Sequence, residues 1–338
     1  FMSGDLFNLY VTLELLTLAG VALIGLAGSV ASLIAALRYL IVALVGSLFY
    51  LLGVALTYAA YGTVDWGLVG SAAIPDCATR TALALFTIAL MLKTALFPLH
   101  TWLPHAHSNA PAPVSALLSG VVLKATFYMA LRIWFFAFPA VSSPAPAQLL
   151  GALGACAIVW GSIQALRQRR AKLMLAYSSV AQVGYLFVVF ALMWGDAAYL
   201  AWQAAVCLAL SHACAKSSAF MAVGTIAMST GSDEIDRWEG MAARHPSAVL
   251  SFALAGVSLM GLPPSGGFVG KWLLLNASIK QGQVGLIVVV VGGSLLAAAY
   301  VFRVLAVTVR PSGLQHQAVL SAALKWPPSG PPVSSGCA

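Results

Sequence analysis

The chain has 338 residues, of which 61% are hydrophobic and only 8% are charged, and its mean hydropathy is +0.94. Soluble domains carry about 25% charged residues, so this chain lacks the polar side chains that a water-exposed surface needs. The composition excludes a soluble enzyme, a disordered protein and a nucleic-acid-binding protein. The net charge of +8 comes from basic residues near predicted helix ends, where lipid headgroups favour them, so we expect a lipid bilayer as the environment.

A membrane-spanning helix needs about 20 predominantly apolar residues. Stretches that are apolar on all sides favour helices over the short alternating strands of a barrel. The sequence therefore predicts an all-α integral membrane protein with about nine transmembrane helices. The predicted spans are 6–28, 39–61, 81–101, 112–137, 147–165, 171–194, 198–228, 247–282 and 284–308.

Two predicted spans meet prolines that should break the helix inside the membrane. The third runs into Pro98 and Pro104, and Pro263 and Pro264 interrupt the eighth. Proline removes a backbone donor and clashes with the preceding turn.

The order of the predicted helices suggests an internal repeat. Helices five to nine form a set of five with the break in its fourth member, and the first four match that set if one helix precedes them. A unit with an odd number of crossings must repeat in inverted orientation, as in many transporters.

The basic residues of the predicted loops give the orientation. One side carries Arg38, Arg167, Arg169, Arg170, Lys172, Arg237 and Arg244, whereas the other carries Arg80 and Lys280, with Arg132 close to a helix end. The richer side should be cytoplasmic. We therefore expect a multi-pass protein of the cell inner membrane with an external N-terminus. Residues 310–338 are rich in Pro, Ser and Gly, which predicts a disordered cytoplasmic tail.

Six ionisable residues fall inside or beside predicted spans. They are Glu14, Lys93, Lys124, His212, Lys216 and Lys271. One lysine could extend its ammonium group to the headgroups, but four on different helices are hard to explain in that way. A static network of ion pairs is also a poor explanation, because only one acid faces four lysines. Burial and like charges change how readily a lysine holds its proton, so the set favours a proton path.

The remaining candidate features predict no cofactor and no metal. His100, His105 and His107 are expected in a loop near the headgroups at the first break. The cysteines show no metal-binding spacing and are expected to be small buried hydrophobic residues. No phosphate-binding or dinucleotide-binding motif is visible. Any redox chemistry is therefore expected in partner subunits.

Several motifs together resemble one membrane family. Residues 93–107 and 110–124 carry them, with supporting stretches at 172–185, 211–220 and 261–271. The chain is similar over about 1–309 to the antiporter-like proton-translocating subunits. These are the M, N and L subunits of respiratory complex I, the D-type component of Mrp-type Na⁺/H⁺ antiporters and subunits of membrane-bound hydrogenases. The opening residues 5–14 are similar to the Mrp component, whereas the run after His107 is closer to the other branches.

The resemblance implies a fold of two inverted five-helix repeats, of which the first is incomplete here. It places 1–137 in the first repeat and 138–309 in the second, and it implies that four N-terminal helices and the last one are missing. It implies that Glu14 pairs with Lys93 and that Lys124 is a relay position. The central relay would be His212 with Lys216, and the exit residue would be Lys271.

Three functions remain open from the sequence. The first is proton translocation as a subunit of a larger complex, either an Mrp-type antiporter that also moves Na⁺ or a redox-driven pump of the NADH:quinone oxidoreductase or hydrogenase kind. The others are an independent secondary transporter and a non-conducting scaffold subunit. In the first reading, the partners are the other membrane subunits of that complex.

Overall fold

The computed structural model describes residues 3–311 and is helical throughout, apart from two isolated β-bridges. The helices are α1 (Leu6–Gly25), α2 (Val30–Tyr61), α3 (Trp66–Ala72), α4 (Cys77–Thr94), α5 (Trp102–Asn109), α6 (Ala112–Leu117), α7 (Leu123–Arg132), α8 (Pro144–Arg167), α9 (Ala171–Leu192), α10 (Ala198–Thr230), α11 (Met241–Arg244), α12 (Pro246–Met260), α13 (Gly266–Lys280) and α14 (Val284–Val309). All of the predicted tail except 310 and 311 lies outside the described residues.

Within residues 3–311, seven helical segments are long and apolar enough to cross a membrane. They are Leu6–Gly25, Val30–Tyr61, Ala112–Ala137, Pro144–Arg167, Ala171–Leu192, Gly195–Thr230 and Val284–Val309. Large apolar side chains point away from the bundle on the outer helices, for example Leu15, Leu48 and Leu295. The protein is therefore a multi-span integral membrane protein, as predicted.

The third predicted span ends early and a second short helix follows it, while the eighth predicted span contains two shorter helices. The region 81–101 contains α4, which ends at Thr94, and α5 follows after seven residues without regular helix. The region 247–282 contains α12 and α13, separated by the segment 261–265. In both places the chain first turns through a left-handed residue, Ala95 with φ 55° and Gly261 with φ 81°.

The prediction that Arg38 lies in a loop is wrong. Helix α2 begins at Val30, nine residues before the predicted start, because the Ser29 side chain accepts the backbone N–H of Ser32 and caps the helix. The helix has 32 residues, which corresponds to about 48 Å at the usual rise per residue. This exceeds the roughly 30 Å hydrocarbon core, so α2 can carry Arg38 without placing it at the bilayer centre.

The predicted burial of the cysteines is also wrong. Cys77, Cys156 and Cys214 are exposed and Cys207 is half-buried, while Cys337 lies outside the described residues. The outer face of a membrane bundle contacts lipid and is as apolar as its core. An apolar neighbourhood in the sequence therefore does not distinguish the inside of the bundle from its lipid-facing surface.

Helix α9 is the most enclosed of these seven segments, with 89% of an 18-residue apolar stretch buried. Glycines allow its close approach to α8, since a methyl group at Gly154 would lie 2.7 Å from the Gly184 carbonyl oxygen. Small residues at such contacts are typical of membrane helix packing. As a result α9 runs through the centre of the molecule, and polar side chains on it can reach several other helices.

The fourth predicted span, 112–137, has the predicted bounds but not a uniform helix. Two π-helical turns, Leu118–Val122 and Ile133–Ala137, flank α7. Such turns are rare and often occur at functional positions. The first of them immediately precedes Lys124.

Candidate functional site

The first helix break brings Glu14 and Lys93 together. Lys93 occupies the last turn of α4 and is 4% exposed. Its Nζ lies 3.0 Å from Glu14 Oε1 on α1 and 3.3 Å from Thr17 Oγ1. Ser47 on α2 also donates a hydrogen bond to Glu14. Three helices therefore hold one ion pair in the low-dielectric interior, where it is much stronger than a pair in water.

A backbone carbonyl freed at the first helix break finds its hydrogen-bond donor in a residue other than Lys93. The indole N–H of Trp102, at the start of α5, donates to the Leu92 carbonyl at 3.0 Å. The Trp102 ring stacks on Tyr39 with 4.3 Å between the ring centroids. Backbone carbonyls freed at a break need such partners inside a membrane protein. Because Trp102 supplies one, the Lys93 ammonium group is left for the acid.

Lys124 follows the first π-helical turn and is bound to it. Its Nζ donates to the backbone carbonyl of Ser119, and the Ser119 hydroxyl lies 3.0 Å from the Ser179 hydroxyl on α9. Ser179 in turn donates to the Leu175 carbonyl at 3.0 Å. Lys124 therefore connects to α9 through neutral groups.

Lys216, on α10, also hydrogen-bonds to the Leu175 carbonyl of α9. This side chain on α10 is 0% exposed. Its Nζ donates to the Leu175 carbonyl at 2.8 Å and to the Ser178 hydroxyl. The Leu175 carbonyl thus accepts from both Ser179 and Lys216. Lys216 therefore contacts this turn of α9 directly, whereas Lys124 is connected to it through the backbone and hydroxyl of Ser119.

His212 lies one turn before Lys216 on α10, so the two side chains share a helix face. Within the described part of the chain, neither ring nitrogen of His212 has a hydrogen-bond partner, although both are buried. His212 and Lys271 line the same small cavity. His212 therefore lies between the central lysines and the second helix break.

Lys271 closes the second break. It is 4% exposed on α13, and its Nζ donates to the carbonyls of Leu259 and Met260 at 2.8 and 3.2 Å, and to Ser294 at 3.1 Å. The amide of Gln182 on α9 also donates to the Leu259 carbonyl, at 3.1 Å. Lys271 therefore caps the end of α12, a role that the sequence did not suggest.

His212 and Lys271 line one small chamber of about 10 Å³. Gln182 and Leu208 also line it. About 10 to 15 Å³ of such space suffices for one water molecule. The two predicted site residues are thus neighbours across a chamber of molecular size, although no direct hydrogen bond joins them within residues 3–311.

One connection in the predicted series is missing. Within residues 3–311, no hydrogen bond or ion pair joins the Glu14–Lys93 pair to Lys124. The six predicted residues therefore fall into a directly bonded pair and a second group, whose members are related by contacts with α9, a shared face of α10 and the chamber rather than by hydrogen bonds to one another. The first contains Glu14 and Lys93, and the second contains Lys124, Lys216, His212 and Lys271.

Sequence reasoning missed His107 and the polar residues of α9. His107 lies inside helix α5 and is 0% exposed, so its predicted place in a headgroup loop is wrong. Its ring stacks on Phe220 with 4.8 Å between centroids. Ser178, Ser179 and Gln182 share a face of α9, and their spacing in an apolar helix was a visible signal.

Comparisons with known proteins agree with this fold and place the chain in a family. The family model described as "NADH:quinone oxidoreductase/Mrp antiporter, TM" matches residues 3–297. The chain is 41% identical over 307 residues to the NADH-quinone oxidoreductase subunit N of Desulforudis audaxviator, covering 90% of this chain and 60% of that protein. The chain is therefore a helical membrane protein that belongs to the NADH:quinone oxidoreductase/Mrp antiporter family. It spans about three fifths of the length of the curated relatives that it matches.

Two solved structures share the fold. A chain of the membrane-bound sulfane sulfur reductase, an archaeal respiratory membrane complex, matches with a TM-score of 0.84 and 31% identity, covering 95% of this chain and 67% of that one. A chain of the Mrp complex from Dietzia sp. DQ12-45-1b matches with a TM-score of 0.84 and 29% identity, covering 91% and 57%. Both neighbours are chains of membrane complexes.

Proposed function

We propose that the chain translocates protons across the membrane through Glu14, Lys93, Lys124, Lys216, His212 and Lys271. It would do so as a subunit of a larger complex, either an Mrp-type Na⁺/H⁺ antiporter or a redox-driven pump. The observation that carries this proposal is the second group of the site. Lys216, Lys271 and His212 are buried and Lys124 is half-buried. They lie around the Leu175 carbonyl, the serines of α9 and the chamber at His212.

The charge balance of the second group supports proton movement. Within residues 3–311, Lys124, Lys216 and Lys271 hydrogen-bond only to neutral groups, and the salt bridges are Lys93–Glu14 and two pairs outside this group. Several uncompensated ammonium ions side by side in the core are costly, because burial and like charges both favour the neutral amine. Protonation of one lysine therefore promotes deprotonation of its neighbour.

The Glu14–Lys93 pair would control entry to this path. While Glu14 is paired with Lys93, the carboxylate stabilises the charged lysine relative to an unpaired one. When the pair separates, Lys93 becomes a better donor to the next group. The missing connection between Lys93 and Lys124 would then be bridged by water or by a side-chain movement.

We infer that the chain works beside other membrane subunits, because its relatives and structural neighbours are named as subunits or chains of complexes. Any redox chemistry would belong to those partners.

The topology that fits this function has nine crossings. In it, α4 with α5 and α12 with α13 each form one broken crossing. The units 1–137 and 138–309 would be inverted repeats, and the first of them would be incomplete. The N-terminus would face outward, since the basic segments at 167–172 and 237–244 indicate the cytoplasmic side.

The test uses the complex that contains this chain, reconstituted in vesicles with a fluorescent pH indicator inside. Vesicles are energised by a Na⁺ gradient in one experiment and by a quinone-coupled reductant in another. One of the two energy sources should drive proton movement in the wild type. Under that energy source, proton movement should be lost in both Lys216→Met and Lys216→Arg. Arginine keeps the charge but does not release a proton in proteins, so it separates proton transfer from a structural need for charge.

The matched control is Lys280→Met at the C-terminal end of α13, which lies outside the series. It should move protons like the wild type. Normal proton movement in Lys216→Met, or its absence from the wild type in both modes, would contradict the proposal. An assembled complex in which another subunit still conducts would indicate a scaffold.

A further inference from the structure

A lateral groove of about 300 Å³ lies between α2 and α5, beside the first helix break. Half of the residues that line it carry charged or polar side chains, which is unusual on the outer face of a membrane bundle. They are Arg38, Ile41 and Val42 of α2, Thr101 at the cap of α5, and Trp102 and His105 of α5. Ligand sites of roughly 300 Å³ are at the small end of their range, so a lipid headgroup fits this groove better than a further helix.

The groove lies near the boundary between headgroups and hydrocarbon. Arg38 lies eight residues after Val30, where α2 begins, or about 12 Å along the helix axis. When a helix of about 48 Å is centred on a hydrocarbon core of roughly 30 Å, about 9 Å extends beyond the core at each end. The long Arg38 side chain can therefore place its guanidinium among the headgroups. Ile41 and Val42 follow one turn deeper, at the level where acyl chains begin.

Arg38 has no anionic partner within residues 3–311. The salt bridges there join other residues, and the exposed Arg38 side chain forms no hydrogen bond. An arginine beside hydrocarbon is costly without a counter-ion. A phosphodiester offers two oxygens that match the guanidinium fork, whereas a choline headgroup would also bring a cation towards Arg38. Charge complementarity therefore favours an anionic phospholipid, and basic pockets between membrane helices commonly bind such headgroups.

Helix α5 and its cap add two further donors and connect the groove to the break. Thr101 and His105 are exposed and lie one turn apart on the same face. A hydroxyl and an imidazole N–H can each donate to a phosphate oxygen. Trp102 lines the groove between them, and its indole donates to the Leu92 carbonyl at 3.0 Å and stacks on Tyr39. A group that binds both α2 and α5 would therefore join the two helices directly beside the first break.

We propose that this groove binds the phosphodiester headgroup of an anionic phospholipid. Arg38 pairs with the phosphate oxygens, and Thr101 and His105 donate to the remaining oxygens of the headgroup. The acyl chains pass over Ile41 and Val42. The bound lipid holds α2 against α5. This site does not depend on proton movement, so it can be tested separately from the function proposed above.

The direct test cross-links the occupant of the groove. Photoreactive benzoylphenylalanine replaces Ile41, which is 54% exposed, in the full chain within its complex. The complex is reconstituted in vesicles of equal parts phosphatidylglycerol and phosphatidylcholine, and mass spectrometry counts the lipid adducts after illumination. We expect about fivefold more adducts of phosphatidylglycerol, the factor that corresponds to about 1 kcal/mol for one arginine near a membrane surface. The same label at Leu295, 68% exposed on α14, should give both adducts equally.

Arg38→Gln should bring the two adducts at Ile41 close to equality, because it removes the charge that selects the anionic lipid. His105→Gln should lower the enrichment by less, since it removes only a hydrogen-bond donor. The matched control is Arg244→Gln, which removes an exposed arginine outside the groove and should leave the enrichment unchanged. Thermal unfolding of each complex gives a second measurement. Phosphatidylglycerol should raise the unfolding midpoint of the wild type more than that of Arg38→Gln, because a bound ligand stabilises the folded state.

Equal adducts at Ile41 in the chain that retains Arg38 would overturn the proposal. Cross-links from Ile41 to another protein subunit in place of lipid would also overturn it, because the groove would then be a protein interface. Inorganic phosphate is compared with chloride at equal ionic strength, so that screening is the same. Loss of the enrichment in phosphate alone would indicate a site for a soluble anion and would contradict a lipid site. None of these measurements reads proton movement, so the two proposals can fail separately.

Discussion

The two helix breaks look alike in sequence, but the lysine beside each break has different binding partners. At the first break, Trp102 bonds the freed Leu92 carbonyl and Lys93 pairs with Glu14. At the second, Lys271 itself bonds the carbonyls of Leu259 and Met260, and its side-chain partner is the neutral Ser294. One lysine is thus held by an acid and the other by backbone. The lysine of the first break thus forms an ion pair, whereas the lysine of the second satisfies helix carbonyls.

The largest expected effect follows from the double role of Lys271. Lys271→Met should abolish proton movement and also lower the stability of the chain by roughly 2–3 kcal/mol, because a buried carbonyl and a hydroxyl lose their donor. The thermal unfolding midpoint of the purified complex measures the second effect. Lys271→Arg retains donors and should recover much of the stability while proton movement stays absent. Full stability in Lys271→Met would show that the cap is unimportant.

The ion pair of the first break should show strong coupling. Glu14→Gln and Lys93→Met each leave the other residue without its counter-ion, and the double variant removes both charges. We expect a coupling energy on the order of 1–3 kcal/mol in a double-mutant cycle on unfolding. Proton movement should be lost in all three variants. Simple additivity of the two single effects would mean that the pair is not formed in the working protein.

Substitutions at the left-handed residues of the two breaks should differ in their effect on stability. Gly261→Ala forces alanine to φ 81° and brings its methyl to 2.7 Å from Lys271 Cδ, so a loss of about 1–2 kcal/mol is expected. Ala95→Gly relieves the same backbone conformation but removes a buried methyl worth about 0.8 kcal/mol, so its net effect should be near zero. Thermal unfolding of both variants measures the two losses of stability. A larger loss in Ala95→Gly than in Gly261→Ala would contradict the prediction.

At Trp102 we expect a modest loss of stability and no effect on proton movement. Trp102→Phe keeps the ring on Tyr39 and removes the donor to the Leu92 carbonyl, at a cost of about 1 kcal/mol. Proton movement should be unchanged, because Lys93 and Glu14 remain paired. The control is Trp160→Phe on the outer face of α8, which is 44% exposed. If Trp102→Phe also stops proton movement, the hydrogen bond to the Leu92 carbonyl and the Lys93–Glu14 pair do not act independently.

The sequence predicts the class of fold and the charged residues for a clear reason. An ionisable side chain in a long apolar stretch is expensive, so Lys93, Lys216 and Lys271 stand out from the letters alone. The prolines at 98 and 263 likewise mark both breaks. The charged residues and the prolines can be recognised from the local sequence alone, without knowing which helices contact each other.

Other features depend on tertiary packing and were not predictable. The π-helical turn before Lys124 and the capping by Lys271 depend on which groups the neighbouring helices present. The burial of His107 follows from the position of α5 against α10. The exposed cysteines show the same limit, because lipid-facing and core positions are both apolar.

The most direct test of the account is proton movement in vesicles that carry the complex with Lys93→Ala, compared with Lys280→Ala. Lys93 belongs to the first group of the site and has no hydrogen-bonded connection to the second within the described residues. If the two groups form one serial path, Lys93→Ala should abolish proton movement while Lys280→Ala retains it. Proton movement at the wild-type rate in Lys93→Ala would contradict a path that includes both breaks.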